Sequence, residues 1–136
     1  MKGLDTSILL GLLHGDPAVR ALLRRLEDVE LATTEANLIE LAWVASRGGA
    51  GGRHRREAVE RLRHKITVLP IDRVAVDRVS QQLARRGVSI PLSVAAMLGA
   101  FESASCDELF TREAGDFGKW RLKITHISRS RPKYSK

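Results

Sequence analysis

The chain has a single cysteine, Cys106, among 136 residues. No internal disulfide can form, and zinc frameworks built on paired cysteines are excluded. Aromatic residues are only 4% of the total, so the core must be aliphatic. Long apolar runs are missing. Ile8-Leu9-Leu10-Gly11-Leu12-Leu13 falls far short of the ~20 residues that cross a bilayer. The sequence does not open with a charged segment followed by an apolar stretch and a small-residue cleavage site, so no secretory leader is expected. A reducing cytoplasm fits these absences, and no membrane partner is expected.

What is present suits one soluble globular domain: 43% apolar and 29% charged residues. At this length one core buries roughly two-thirds of the surface that the unfolded chain exposes. The net charge of +7 is unevenly spread. Residues 47–65 hold Arg47, Arg53, Arg55, Arg56, Arg61, Arg63 and Lys65 against Glu57 and Glu60. Residues 119–136 hold Lys119, Arg121, Lys123, Arg129, Arg131, Lys133 and Lys136 with no acid. An acidic body therefore carries two basic appendages. They serve either as solvated surface or as the holding points for a polyanion's phosphates. On the second reading Arg53, Arg55 and Arg56 face the polyanion.

Short apolar segments alternate with helical periodicities. Strands are expected at Lys2–Asp5, Leu31–Thr34, Ile66–Ile71, Glu108–Thr111 and Leu122–Ile127. The first helix starts near Asp5 or Thr6. Asp16-Pro17 starts the second, with Asp as cap and Pro at the first helical position, and it runs to about Val29. Further helices are expected from Ala36, from Arg53 to His64, from Asp72 to a stop at Gly87, and from Val94 to about Ser103 after an Ile90–Ser93 loop and cap. The glycine run 48–52 reads as a hinge. The pattern is that of an α/β fold with a mostly parallel central sheet flanked by helices.

In such sheets ligands gather beyond the carboxyl ends of the strands. Asp5 ends the first strand at that edge, and Glu113 and Asp116 follow Glu108–Thr111 at the same edge. Glu40 interrupts the apolar stretch Leu38–Val44. It is either a surface position on an amphipathic helix or part of a cluster with Asp5, Glu113 and Asp116. Clustered carboxylates repel one another, and a hard divalent cation such as Mg²⁺ or Mn²⁺ relieves this. An ion so held activates water and neutralises phosphate, as nucleic-acid hydrolysis requires. Other chemistries find little support. His14, His54, His64 and His126 are dispersed, and Ser7 and Ser93 lack a local base. No Lys-Ser/Thr follows the glycine run, so it is not a phosphate loop. A phosphatase built on an aspartate nucleophile would need a second acid at Ser7. Cys106 is expected as a small core residue, Trp43 in the core or at a subunit interface, and Trp120 in packing.

Four segments resemble one family. Leu4-Asp5-Thr6-Ser7-Ile8-Leu9-Leu10 is similar to the opening motif of PIN domains, in particular of VapC-like toxin ribonucleases. Glu40-Leu41-Ala42-Trp43 resembles their second motif, and Ile90–Met97 the third. Leu109-Phe110-Thr111-Arg112-Glu113-Ala114-Gly115-Asp116-Phe117 resembles the fourth. The resemblance implies a PIN-like three-layer domain over 1–128 and a basic tail over 129–136. It implies Asp5, Glu40, Glu113 and Asp116 as catalytic metal ligands for Mg²⁺ or Mn²⁺, with Thr6, Thr111 and Arg112 in support. Toxins of this type cleave RNA, dimerise, and are silenced by a cognate antitoxin protein.

The third motif departs from the pattern. An aspartate is expected just before Ala95, and Val94 stands there. Three readings stay open: catalysis lost with binding kept, Ser93 or water completing the ligand set with weak activity, or a toxic enzyme deliberately silenced. The expectation is a metal-dependent endoribonuclease toxin with weakened or lost activity. The alternative is a non-catalytic PIN-fold protein that binds RNA or a partner.

Overall fold

Gly3 and Leu4 show how the first strand meets two layers. A side chain at Gly3 would collide with the Phe101 ring, its Cβ 2.7 Å from Cε1, so glycine lets that ring lie flat on the sheet. Leu4, on the opposite face of the pleat, is buried with Ile8 and Leu9. A computed structural model of the chain describes residues 1–47, 51–86, 91–113, 117 and 120–128. Its elements are β1 (Lys2–Leu4), α1 (Thr6–Leu13), α2 (Pro17–Arg25), β2 (Leu31–Thr34), α3 (Glu35–Ser46) and α4 (Gly52–Lys65). These are followed by β3 (Thr67–Leu69), α5 (Arg73–Arg86), α6 (Leu92–Ser103), β4 (Glu108–Thr111) and β5 (Lys123–His126).

The described strands form one five-stranded sheet in the order β3-β2-β1-β4-β5. Every pairing is parallel, with Gly3 beside Ala32 and Leu109, and Leu4 beside Phe110. Helices cover both faces, as parallel strands require. On one side Leu4 and Phe110 pack against Ile8 and Leu9 of α1, Val19 and Leu22 of α2, Leu41 of α3 and Val59 of α4. On the other, Ala32 and Leu109 pack against Met97, Leu98 and Phe101 of α6. This is the three-layer α/β arrangement expected, with a core that is almost wholly aliphatic. No helix among the described residues is long and apolar enough to cross a membrane.

The topology fixes where a site can lie. From β1 the chain moves outward through β2 to β3, then crosses back to β4 and out to β5. Strand order therefore reverses between β1 and β4, which opens a crevice beyond their carboxyl ends.

Several boundaries differ from the sequence expectation. Helix α2 ends at Arg25 rather than near Val29, because Leu26 leaves helical geometry and Val29 donates back to the Leu26 carbonyl in a turn. Helix α6 starts at Leu92 with Pro91 at its cap, so Ser93 lies inside the first turn rather than at the cap position. Proline supplies the φ of a helix entry without needing an N–H partner. Strand β3 is shorter than expected and stops before Pro70, which has no N–H for the ladder. Gly52, placed in a hinge by the sequence reading, is the buried first residue of α4. Gly48–Ala50, Gly87, Asp116 and the tail 129–136 lie outside the described residues.

Candidate active site

Asp5 performs two tasks. It leaves β1 in an extended conformation and caps α1, its Oδ1 accepting from the Ile8 amide at 3.2 Å. The same carboxylate is only 4% exposed and is held from two further directions. Ser7 Oγ donates to Oδ1 at 2.5 Å, and Thr111 Oγ1 donates to Oδ2. Thr111 ends β4, the neighbour of β1, so the parallel register brings a residue 106 positions away onto Asp5. Burial pushes the Asp5 carboxyl above its ordinary range, against the bonds from Ser7, Thr111 and Ile8, and the Glu113 charge adds to the rise.

Ser7 ties this cluster together. Its Oγ accepts the Arg112 N–H at 2.7 Å while donating to Asp5, and it lies 3.5 Å from Thr111 Oγ1. Thr111 Oγ1 in turn accepts the Glu113 N–H at 3.1 Å. The turn after β4 is thus pinned by its backbone to the start of α1. Thr6 is buried beside them and pairs with Asn37 of α3. Its Oγ1 accepts from Asn37 Nδ2 at 3.1 Å, and Nδ2 also lies 3.2 Å from Met97 Sδ. Thr34 Oγ1 caps α3 through the Asn37 amide. The serine and the asparagine were missed as site residues in the sequence. Each works through partners distant in the chain, the Arg112 N–H for Ser7 and Thr6 for Asn37.

A cavity of about 640 Å³ opens above this network. Thr6, Ser7, Gly11 and His14 of α1 and its end line one wall, Glu40, Trp43 and Val44 of α3 another, and Asp16, Arg112 and Glu113 the rest. Glu40 and Glu113 are both exposed and share this cavity, with Asp5 beneath it in the field of Glu113. Glu40 is therefore a surface residue and also a cavity residue. Among the described residues, no three His, Cys, Asp or Glu side chains converge closely enough to hold one ion.

Val94 lies in the first turn of α6, half-buried, its side chain packed against the apolar cluster of Met97, Leu98 and Phe101. It adds no donor. Trp43 is 58% exposed, not core, with the Arg47 guanidinium 4.3 Å from its ring centroid. Together with Ile39, 71% exposed one turn earlier, it leaves an apolar patch on α3. Cys106 is buried as expected, and burial raises its thiol to about 11, so it is inert at neutral pH. Trp120 packs against the second core cluster, and its indole N–H donates to the Phe117 carbonyl. Arg53, Arg55 and Arg56 do not line the cavity. They stand at the start of α4, where Arg53 pairs with Glu57 at 3.4 Å on an exposed face.

The match to known proteins agrees with this geometry. Residues 3–113 match the PIN domain family. No curated protein matches the sequence. Similar solved structures include VapBC2 from Rickettsia felis bound to a promoter DNA fragment, at 13% identity and TM-score 0.79, covering 93% of this chain and 98% of that one. DNA-bound VapBC from Salmonella typhimurium is 18% identical with a TM-score of 0.75, covering 92% and 96%. VapC20 from Mycobacterium tuberculosis, a toxin that cleaves the sarcin-ricin loop, is 15% identical with a TM-score of 0.60, covering 80% and 87%. At these identities the structures speak for the fold, and the sequence match over residues 3–113 speaks for the family: the chain belongs to the PIN domain family.

Proposed function

We propose that the chain is a VapC-like endoribonuclease that depends on Mg²⁺ or Mn²⁺ and is weakened by Val94. The observation that supports this most is that Glu40 and Glu113 share one cavity at the β1–β4 crevice while the charge of Glu113 acts on buried Asp5 beside it. The donor set fits a hard divalent cation in kind, since all its ligand atoms are oxygens. It falls short in number, because Val94 offers none. Asp5, Glu40 and Glu113, with Asp116 beyond the described residues, are the proposed ligands. A divalent ion held there would neutralise phosphate charge and supply an activated water.

The chain's own residues do the rest. Ser7, Thr111 and the Ile8 amide fix the Asp5 carboxylate in one orientation and favour its ionised form. Thr6, locked by Asn37, shapes the cavity floor. Glu40 and Glu113, both exposed, can meet an ion from the solvent side. Arg112, ion-paired with Asp16, forms part of the wall that a phosphodiester would approach. Arg53, Arg55 and Arg56 on α4 are proposed to hold flanking RNA phosphates. The VapBC complexes among the structural relatives support an antitoxin protein as partner, and the exposed Ile39–Trp43 patch supports a homodimer.

Val94 supports a second reading, a PIN-fold protein that binds RNA or a partner without cleaving. The two separate in one assay of the purified chain on single-stranded RNA with Mn²⁺. Slow cleavage that stops with a chelator, and is absent in Asp5→Asn, is the expected result. No cleavage by either this chain or its Val94→Asp variant leaves the binding reading in place.

A further inference from the structure

Arg112 is an arginine in an unusual position. Its side chain is 7% exposed, yet it stands beside the cavity wall rather than in solution. Nη1 lies 3.0 Å from Asp16 Oδ2, and Nη2 reaches the Ser128 carbonyl at 3.5 Å. The guanidinium fits there because residue 11 has no side chain. A Cβ on Gly11 would stand 2.9 Å from Nη1 and 2.7 Å from Val19 Cγ2. Asp16 is fixed at the same place by its own backbone, whose N–H donates to the Gly11 carbonyl at 2.9 Å. Its Oδ1 caps α2 by accepting from the Ala18 and Val19 amides at 2.9 and 3.3 Å, which leaves Oδ2 turned to Arg112. Despite a desolvation penalty, the bonds from Arg112 and from these amides hold the Asp16 carboxyl below the ordinary range. Asp16 therefore faces Arg112 as a carboxylate at neutral pH.

We propose that Asp16 is a positioning residue for the centre. By gripping the Arg112 side chain over Gly11, it fixes the Arg112 peptide N–H under Ser7 Oγ, and so sets the hydroxyl that holds Asp5. The link runs through contacts of 3.0, 2.7 and 2.5 Å: Asp16 to Arg112, the Arg112 N–H to Ser7, and Ser7 to Asp5. Among the described residues Asp16 is the carboxylate paired with this guanidinium, whose buried Nε has no partner, so losing Asp16 frees it to leave. The turn that carries Glu113 moves with it. This inference rests on the nuclease reading only for its consequence at the metal.

The test uses the full chain. Asp16→Asn keeps the α2 cap, since asparagine caps as well as aspartate, but removes the charge facing Arg112. Gly11→Ala attacks the same contact from the other side. Hydrogen exchange read by NMR should show the Arg112 amide losing protection by about tenfold, the size of one ordinary hydrogen bond, while the α2 amides keep theirs. Mn²⁺ affinity, followed by electron paramagnetic resonance, should fall several-fold in both variants and recover in Asp16→Glu. Unchanged Arg112 protection overturns the proposal. So does lost protection with Mn²⁺ affinity equal to that of the starting chain. If the starting chain binds no Mn²⁺, the metal reading fails, and the Arg112 amide alone decides the positioning role.

Discussion

Gly99 sets the contact between α6, which carries Val94, and α5. It lies mid-helix, and a Cβ there would run into Val79 Cγ2 and stand 2.7 Å from the Ala75 carbonyl oxygen. Two effects oppose each other in Gly99→Ala. Alanine favours a helix over glycine by about 1 kcal/mol. Against this, the Val79 methyl can rotate away, but the Ala75 carbonyl belongs to a helical backbone and cannot. The two helices must part by roughly 0.7 Å to bring that contact to an ordinary distance. Overpacking of this kind costs about 1–3 kcal/mol, and it loosens Ala75, Val79, Ala95 and Leu98, all buried. The packing cost wins. A net loss of up to about 2 kcal/mol lowers Tm by as much as roughly 8 °C for a chain of this size. Thermal melting followed by circular dichroism measures it. Adding Val79→Ala removes the side-chain contact and leaves the carbonyl contact, so the double variant should stay below the starting chain. A Gly99→Ala protein that melts at or above the starting Tm refutes this account of the α5–α6 packing.

Burial keeps the Asp5 carboxyl above its ordinary range, so its contribution to stability is present below the unfolded pKa and lost as pH rises through the folded one. Asp5→Asn should therefore raise Tm at pH 7 and lose that advantage near pH 3, and equal gains at both pH values would contradict the argument. Replacing Arg53, Arg55 and Arg56 by alanine should weaken RNA binding and flatten its salt dependence by a slope of about 0.7 per lost phosphate contact. An unchanged slope in filter binding would make these arginines plain solvated surface.

The sequence made the frame legible where a residue type has one local use. Asp5 and Asp16-Pro17 mark helix starts through capping chemistry, and both caps form as read. Alternation of short strands with helices forces a parallel sheet, and the reversal of strand order places Asp5 and Thr111 together. Less was legible where a role depends on a distant partner. Ser7 meets a backbone N–H 105 residues away, and the pair of Asp16 and Arg112 is closed by an absent side chain at Gly11. Trp43 stays undecided between core and interface in the sequence for a different reason. Helix α3 is apolar on nearly every face, so periodicity cannot separate buried Leu41 and Ala45 from exposed Ile39 and Trp43.

The measurement closest to the central claim is the rate of Mn²⁺-dependent cleavage of single-stranded RNA by Val94→Asp against the starting chain. A carboxylate in the first turn of α6 sits well with the helix dipole, and Val94 is only half-buried, so the variant should fold. Melting checks that first. Restoring a positioned electrostatic group of this kind typically changes a rate by about 10²–10³. The account predicts a gain of that order, lost again when Asp5→Asn is added. A folded Val94→Asp protein that cleaves no faster than the starting chain contradicts it.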